Sequence, residues 1–174
     1  MRTSIATLWG IGLGLLVYAS ISISAQGKVN FSGTWALDKS QSDFQQLPGM
    51  RGGAGNAQDA SLSMVIDQQG TTLKVTRTFK AGVEENTETH VYKTDGSETT
   101  NTGFRGESAV TKASWDGDKL VVNSTRTMKV MMQDVTVQSR FVWSLSPDGK
   151  TLTLNGTVDA PRGEQHVKAV FHKR

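Results

Sequence analysis

Two arginines stand where strand periodicity calls for apolar side chains. In the run Leu73-Lys74-Val75-Thr76-Arg77-Thr78-Phe79, Arg77 shares the parity of Leu73, Val75 and Phe79. Arg126 likewise shares the parity of Leu120, Val122 and Met128. On a strand, alternate residues line one face, so both guanidinium groups should point into the core. A buried guanidinium is costly unless it is paired and hydrogen-bonded. Its partner is either an internal carboxylate, or a ligand's carboxylate or phosphate gripped by the planar fork. The next run carries Glu88, His90 and Tyr92 on alternating positions. An inward Tyr92 brings Glu88 and His90 inward with it, opposite Arg77. The expected site is therefore an interior polar cluster of Arg77, Glu88, His90, Tyr92 and Arg126. The plainer alternative is an Arg–Glu pair that only closes the interior, or a bulge that turns one Arg outward, since a one-residue slip reverses every side chain.

Trp35, Trp115, Phe141 and Trp143 also fall on inward positions. They either line an apolar ligand cavity around the polar anchors or simply fill the interior. Other chemistry is poorly represented. Gly149-Lys150-Thr151 resembles the end of a phosphate loop, but Ser144 stands where that motif needs its first Gly. No Ser sits in a Gly-x-Ser-x-Gly elbow. His166 and His172 lie six residues apart on the polar side of the last strand, a weak basis for a metal site. Asp116 and Asp118 read as a solvated turn. His90, with Glu88 or Tyr92 beside it, is the one histidine suited to acid–base work. No cofactor, no metal and no catalytic residue is expected.

The elements that must position these residues are strands. Leu62, Met64 and Ile66 alternate with polar residues; so do Val135, Val137, Phe141, Trp143 and Leu145, then Leu152 and Leu154, then Val167, Ala169 and Phe171. The opposite face is rich in Thr, which favours strands and tolerates water. Asp67-Gln68-Gln69-Gly70, Thr94-Asp95-Gly96, Trp115-Asp116-Gly117-Asp118 and Pro147-Asp148-Gly149-Lys150 separate the runs as hairpin turns. Counting runs predicts eight to ten strands in an all-β, antiparallel up-and-down barrel, because a long meander hides its edges by closing on itself. A two-sheet sandwich is the alternative. The stretch 39–60, with Pro48 and four glycines, reads as a long flexible loop, with a helical turn around Asp43 to Leu47 and a possible role as a lid.

Of the 174 residues, the first 25 read as a secretory signal peptide. Arg2 supplies the positive start, Leu8 to Ile23 the uncharged apolar run, and Ile23-Ser24-Ala25 the small-residue cleavage site. Gly10, Gly12, Gly14, Ser20 and Ser22 interrupt the run, whereas a spanning helix needs about 20 mainly apolar residues. Cleavage after Ala25 leaves a single domain, 26–174, in the periplasm or outside the cell, with no integral span. There is no cysteine, so thiolate chemistry and disulfides are excluded. Removing Arg2 from the 19 Lys and Arg leaves 18 against 16 Asp and Glu. That small, scattered excess makes no phosphate-tracking stripe, and nucleic acid is not an expected partner.

Gly33-Thr34-Trp35 resembles the Gly-x-Trp of the first lipocalin strand, whose Trp plugs the barrel base. The whole mature chain resembles a group of exported bacterial lipocalin-like proteins, largely uncharacterised. The shared pieces are Asn30 to Trp35, Thr100 to Gly103, Trp115 to Asp118 and Pro161 to Gly163. The resemblance implies a calycin-type barrel and no particular activity. Three functions stay open. The first is a binding protein for a small amphipathic or acidic ligand inside the barrel. The second is a packed barrel that engages a protein partner in the cell envelope. The third is a barrel isomerase or hydratase acting through His90.

Overall fold

The computed structural model describes residues 29–43, 60–103, 106–130, 133–160 and 163–174. The expected signal segment 1–25 and most of the 39–60 stretch lie outside them, as does the helical turn expected at Asp43 to Leu47 beyond Asp43 itself.

The period-two alternation becomes ten strands: β1 (Gly33–Leu37), β2 (Ser61–Gln69), β3 (Thr72–Ala81), β4 (Glu84–Lys93), β5 (Asp95–Thr102), β6 (Ser108–Asp116), β7 (Lys119–Val130), β8 (Gln133–Leu145), β9 (Thr151–Ala160) and β10 (Gly163–Lys173). One 3-10 turn, Lys39–Gln41, follows β1. All neighbours are antiparallel and belong to one sheet in the order β4-β3-β2-β1-β10-β9-β8-β7-β6-β5. This is a nearly closed barrel, not a sandwich.

Closure departs from the expected meander in one respect. The first and last strands do pair, with Trp35 opposite Lys173. The open seam instead falls between β4 and β5, which are consecutive in the chain. The Thr94-Asp95-Gly96 turn makes no tight hairpin ladder. Gly96 has a φ of 89°, and the β5–β6 register shifts between Asp95 and Glu98, so β5 leaves β4 at an angle.

The two ends of the barrel are packed differently. The end closed by the hairpins after β2, β6 and β8 holds a solid core of Trp35, Leu73, Leu120, Trp143, Leu152 and Phe171, each at most 1% exposed. Burying each such side chain is worth roughly 1.5–3 kcal/mol. Trp35 is fixed there: its Nε1 donates to the Phe31 carbonyl at 2.9 Å, and Lys173 Nζ lies 5.4 Å from its ring centroid. Toward the other end, the inward residues Arg77, Phe79, Glu88, Arg126, Met128, Val135, Val137 and Val158 are only half-buried. The interior is thus filled at one end and cup-like at the other. Outside, Val170 on β10 is covered by the segment after β1, where Ser42 Oγ accepts from its N–H and Asp38 N–H donates to its carbonyl.

Candidate functional site at the floor of the cup

Ladder register carries the polar cluster inward as parity required. Val75 pairs with His90, Arg77 with Glu88 and Leu73 with Tyr92, so all six side chains share the inner face. Arg77 Nη1 lies 3.8 Å from Glu88 Oε1, and Arg77 Nη2 donates to Tyr92 Oη at 3.4 Å. His90 Nδ1 lies 3.2 Å from Tyr92 Oη, and its Nε2 is 3.6 Å from Glu88 Oε2. Four of the five expected polar residues therefore touch one another.

Arg126 joins through a partner that parity reasoning overlooked. Its Nη1 donates to Glu107 Oε1 at 3.2 Å. Glu107 lies just before β6, two residues ahead of the inward Ala109, so extending the β6 alternation back by one step would have found it. Gly103 makes room for it. A Cβ there would lie 2.7 Å from the Glu107 carboxyl group, while the Gly103 N–H donates to the Glu107 carbonyl at 2.8 Å. Arg126 and Glu107 also act electrostatically on His90. The two ion pairs thus belong to one field.

That field fixes protonation states. Burial, reinforced by the Arg77 guanidinium, pushes the His90 pKa down from 6.5 to about 4, against the opposing pull of Glu88. Burial raises the Tyr92 hydroxyl above its usual value, with Arg77 pulling the other way. At neutral pH, His90 is uncharged and Tyr92 protonated. Tyr92 Oη accepts from Arg77, which leaves its one proton available to His90 Nδ1; in that arrangement the imidazole hydrogen sits on Nε2. Among the described residues, the buried side-chain atoms without a hydrogen-bond partner are Arg77 Nε, His90 Nε2 and Trp115 Nε1. In this tautomer all three are donors.

The aromatic residues form the floor beneath. Tyr92 meets Trp143 edge-on at 5.9 Å, and Phe31 meets Trp143 edge-on at 6.1 Å. Trp115 stacks on Phe31 at 5.7 Å. Trp143 is fully buried, as is Phe31, which lies two residues before β1. Phe141 stands on the next part of the wall, paired with Val122 and Gly156, and packs, partly buried, against the core.

The remaining candidates have structural roles. His172 holds Asp38 at 3.1 Å and Thr151 at 3.4 Å, clasping the 3-10 turn to β10. His166 is exposed beside Glu164. Six residues along a strand separate His166 from His172 by about 20 Å, too far to share a metal ion. Among the described residues, no group of three His, Asp or Glu side chains is placed to bind one. A polar depression of about 470 Å³ crosses the outer face, lined by Glu98, Lys112, Asn123, Arg140, Asp159 and Glu164 among others. It is open and mixed in charge.

No family model and no curated protein matches this chain. Solved structures do match. Zebrafish ileal bile acid-binding protein, complexed with cholic acid, superimposes with a TM-score of 0.53 at 18% identity, over 83% of this chain and 98% of that one. The REP1-NXSQ fatty acid transporter matches with a TM-score of 0.52 at 13% identity, over 83% and 96%. Secretory abundant heat soluble protein 4 from Ramazzottius varieornatus matches with a TM-score of 0.51 at 13% identity, over 83% and 94%. At these identities the likeness shows the fold alone: a nearly closed, ten-stranded antiparallel β-barrel of the calycin type.

Proposed function

We propose that this protein is an exported carrier of a small amphipathic ligand with an acidic head. One observation carries the reading. Two donors of the polar cluster, Arg77 Nε and His90 Nε2, are left without a hydrogen-bond partner between the aromatic floor and the half-open cup. An unpaired buried donor costs about 1–3 kcal/mol, and a ligand bearing acceptor oxygens removes that cost. The apolar body of the ligand lies against Phe79, Met128, Val135, Val137 and Val158, and its head reaches Arg77 and Arg126. Two proteins of like fold, a bile acid-binding protein and a fatty acid transporter, take amphipathic acids, which supports the reading by analogy.

Export is part of the proposal and rests on the signal-peptide pattern of 1–25. Among the described residues no helix is long and apolar enough to cross a membrane. The acids Glu84, Glu85 and Glu98 on the free strands β4 and β5 discourage edge-to-edge pairing, which weighs against a protein partner adding a strand there.

The test is native against denaturing mass spectrometry on protein purified from its own envelope fraction. A mature chain beginning at Gln26, with an extra mass lost on denaturation and absent in Arg77→Met, supports carriage. A clean apo mass, with no uptake of added long-chain carboxylate, removes it.

A further inference from the structure

The cup is electrically balanced before any ligand enters. Among the described residues, the charged groups around His90 are Arg77 from β3, Glu88 from its own strand β4, Arg126 from β7 and Glu107 from the connection before β6. Two guanidinium groups face two carboxylates. An anionic head therefore meets no spare positive charge. A single negative charge left uncompensated at low dielectric is costly. A protonation change in the site, when the head arrives, would offset that charge.

We propose that the barrel takes up one proton with each anionic ligand, and that His90 is the group that accepts it. This inference rests on the carrier reading above and specifies its regulation. His90 is almost fully buried, and its Nε2, 3.6 Å from Glu88 Oε2, has no hydrogen-bond partner. The proton balance is simple. In the empty barrel Tyr92 donates its hydroxyl hydrogen to Nδ1, and Nε2 carries the imidazole hydrogen. On binding, one proton from solvent adds to Nδ1. Nδ1–H then donates to Tyr92 Oη, and the Tyr92 hydroxyl hydrogen turns toward the anion. No bond to carbon forms or breaks and nothing is oxidised. The exchange adds one positive charge and one more donor aimed at the head.

The site's resting state suits this role. The pressure of burial and of Arg77 keeps His90 neutral with a pKa of about 4 when empty. A nearby anion acts in the opposite direction and raises it. Uptake then occurs between the empty and the loaded values, and affinity for the anion rises about tenfold for each unit the pH falls within that window.

The experiment uses the full mature barrel and two probes, decane-1-sulfonate and decan-1-ol. The sulfonate stays anionic throughout, so any proton taken up belongs to the protein. Titration calorimetry in buffers of different ionisation enthalpy gives protons bound per ligand. The expected result is proton uptake with the sulfonate that grows as the pH falls from about 7 toward about 5, and none with the alcohol. In His90→Gln the sulfonate binds more weakly and takes up none. Tyr92→Phe, a milder change to the same relay, should reduce uptake as well. Sulfonate binding without proton uptake overturns this inference and leaves the carrier reading standing. Uptake that persists in His90→Gln assigns the proton to Glu88 or Glu107 and overturns the role of His90. Failure of both probes to bind, in wild type as in variants, removes the carrier reading itself.

Discussion

The carboxamide of Asn101 holds Val91 as a neighbouring strand would. Its Oδ1 accepts from the Val91 N–H at 2.7 Å, and its Nδ2 donates to the Val91 carbonyl at 3.0 Å. Asn101 is buried, on β5, at the one seam that the ladder leaves open. One side chain thus supplies both halves of a missing backbone pair next to His90. Asn101→Ala should cost about 2 kcal/mol in urea unfolding, since two partly buried backbone groups lose partners at about 1–3 kcal/mol for an unsatisfied group. Amide exchange at Val91 should speed up along with it. Asn101→Asp should do worse, because it sets a carboxylate against the Val91 carbonyl. An unchanged exchange rate at Val91 in either variant would show that the seam is held elsewhere.

His90 makes stability depend on pH, with a definite sign. Its folded pKa, about 4, lies below the unfolded value near 6.5. The unfolded chain therefore binds the proton first. Stability is unaffected by His90 above pH 6.5, falls as the pH drops from there toward 4, and takes no further loss from this residue below 4. The full loss is about 3 kcal/mol for a shift of this size. In His90→Gln this part of the slope should disappear from urea midpoints measured between pH 8 and pH 4. A variant with the wild-type slope would assign the titration to a group other than His90.

Much of the cluster was legible because alternation is a rigid rule. Once Leu73 and Val75 face the core, Arg77 must follow unless a bulge intervenes, and the β3–β4 register contains none. The strand count, the absence of a sandwich and the inward Trp143 follow from the same rule. What could not be read is where the sheet stays open. Asp-Gly turns look alike in sequence, yet the one at Asp95 splays and those at Asp116 and Asp148 do not, because the shift at Asp95/Glu98 depends on pairing with β6. Asn101 and Gly103 were visible as part of a shared Thr-Asn-Thr-Gly piece, but their roles are tertiary. One closes the seam and the other makes room for Glu107.

That second role gives a prediction. Gly103→Ala places a methyl group against the Glu107 carboxyl group, whose nearest atoms lie 2.7 Å from the added Cβ. Glu107 must move, and Arg126 loses its partner at 3.2 Å. The half-buried guanidinium is then unpaired, at a cost of about 2 kcal/mol. Glu107→Gln should cost about as much, and the double variant little more than either, because both act through one contact. Additive costs from a double-mutant cycle would separate the two positions.

Gly156 faces inward on β9 opposite Phe141, where the neighbouring strand leaves no room for a side chain. A Cβ there would collide with the backbone carbonyl of Arg140 and lie 2.8 Å from the Phe141 ring. Its φ is not in the left-handed region, so the constraint is space alone. A ring can rotate away, but a strand carbonyl cannot move without opening the β8–β9 ladder. Gly156→Ala should therefore destabilise by about 2–3 kcal/mol, the scale of overpacking. Phe141→Ala alone should also destabilise, by emptying a partly buried aromatic position. The informative case is the pair. If the collision with the Arg140 carbonyl dominates, Phe141→Ala gives Gly156→Ala no relief, and urea unfolding shows the two costs adding. If the ring were the true obstacle, the double variant would be more stable than the sum predicts, and the strand-to-strand contact would not be what reserves this position for glycine.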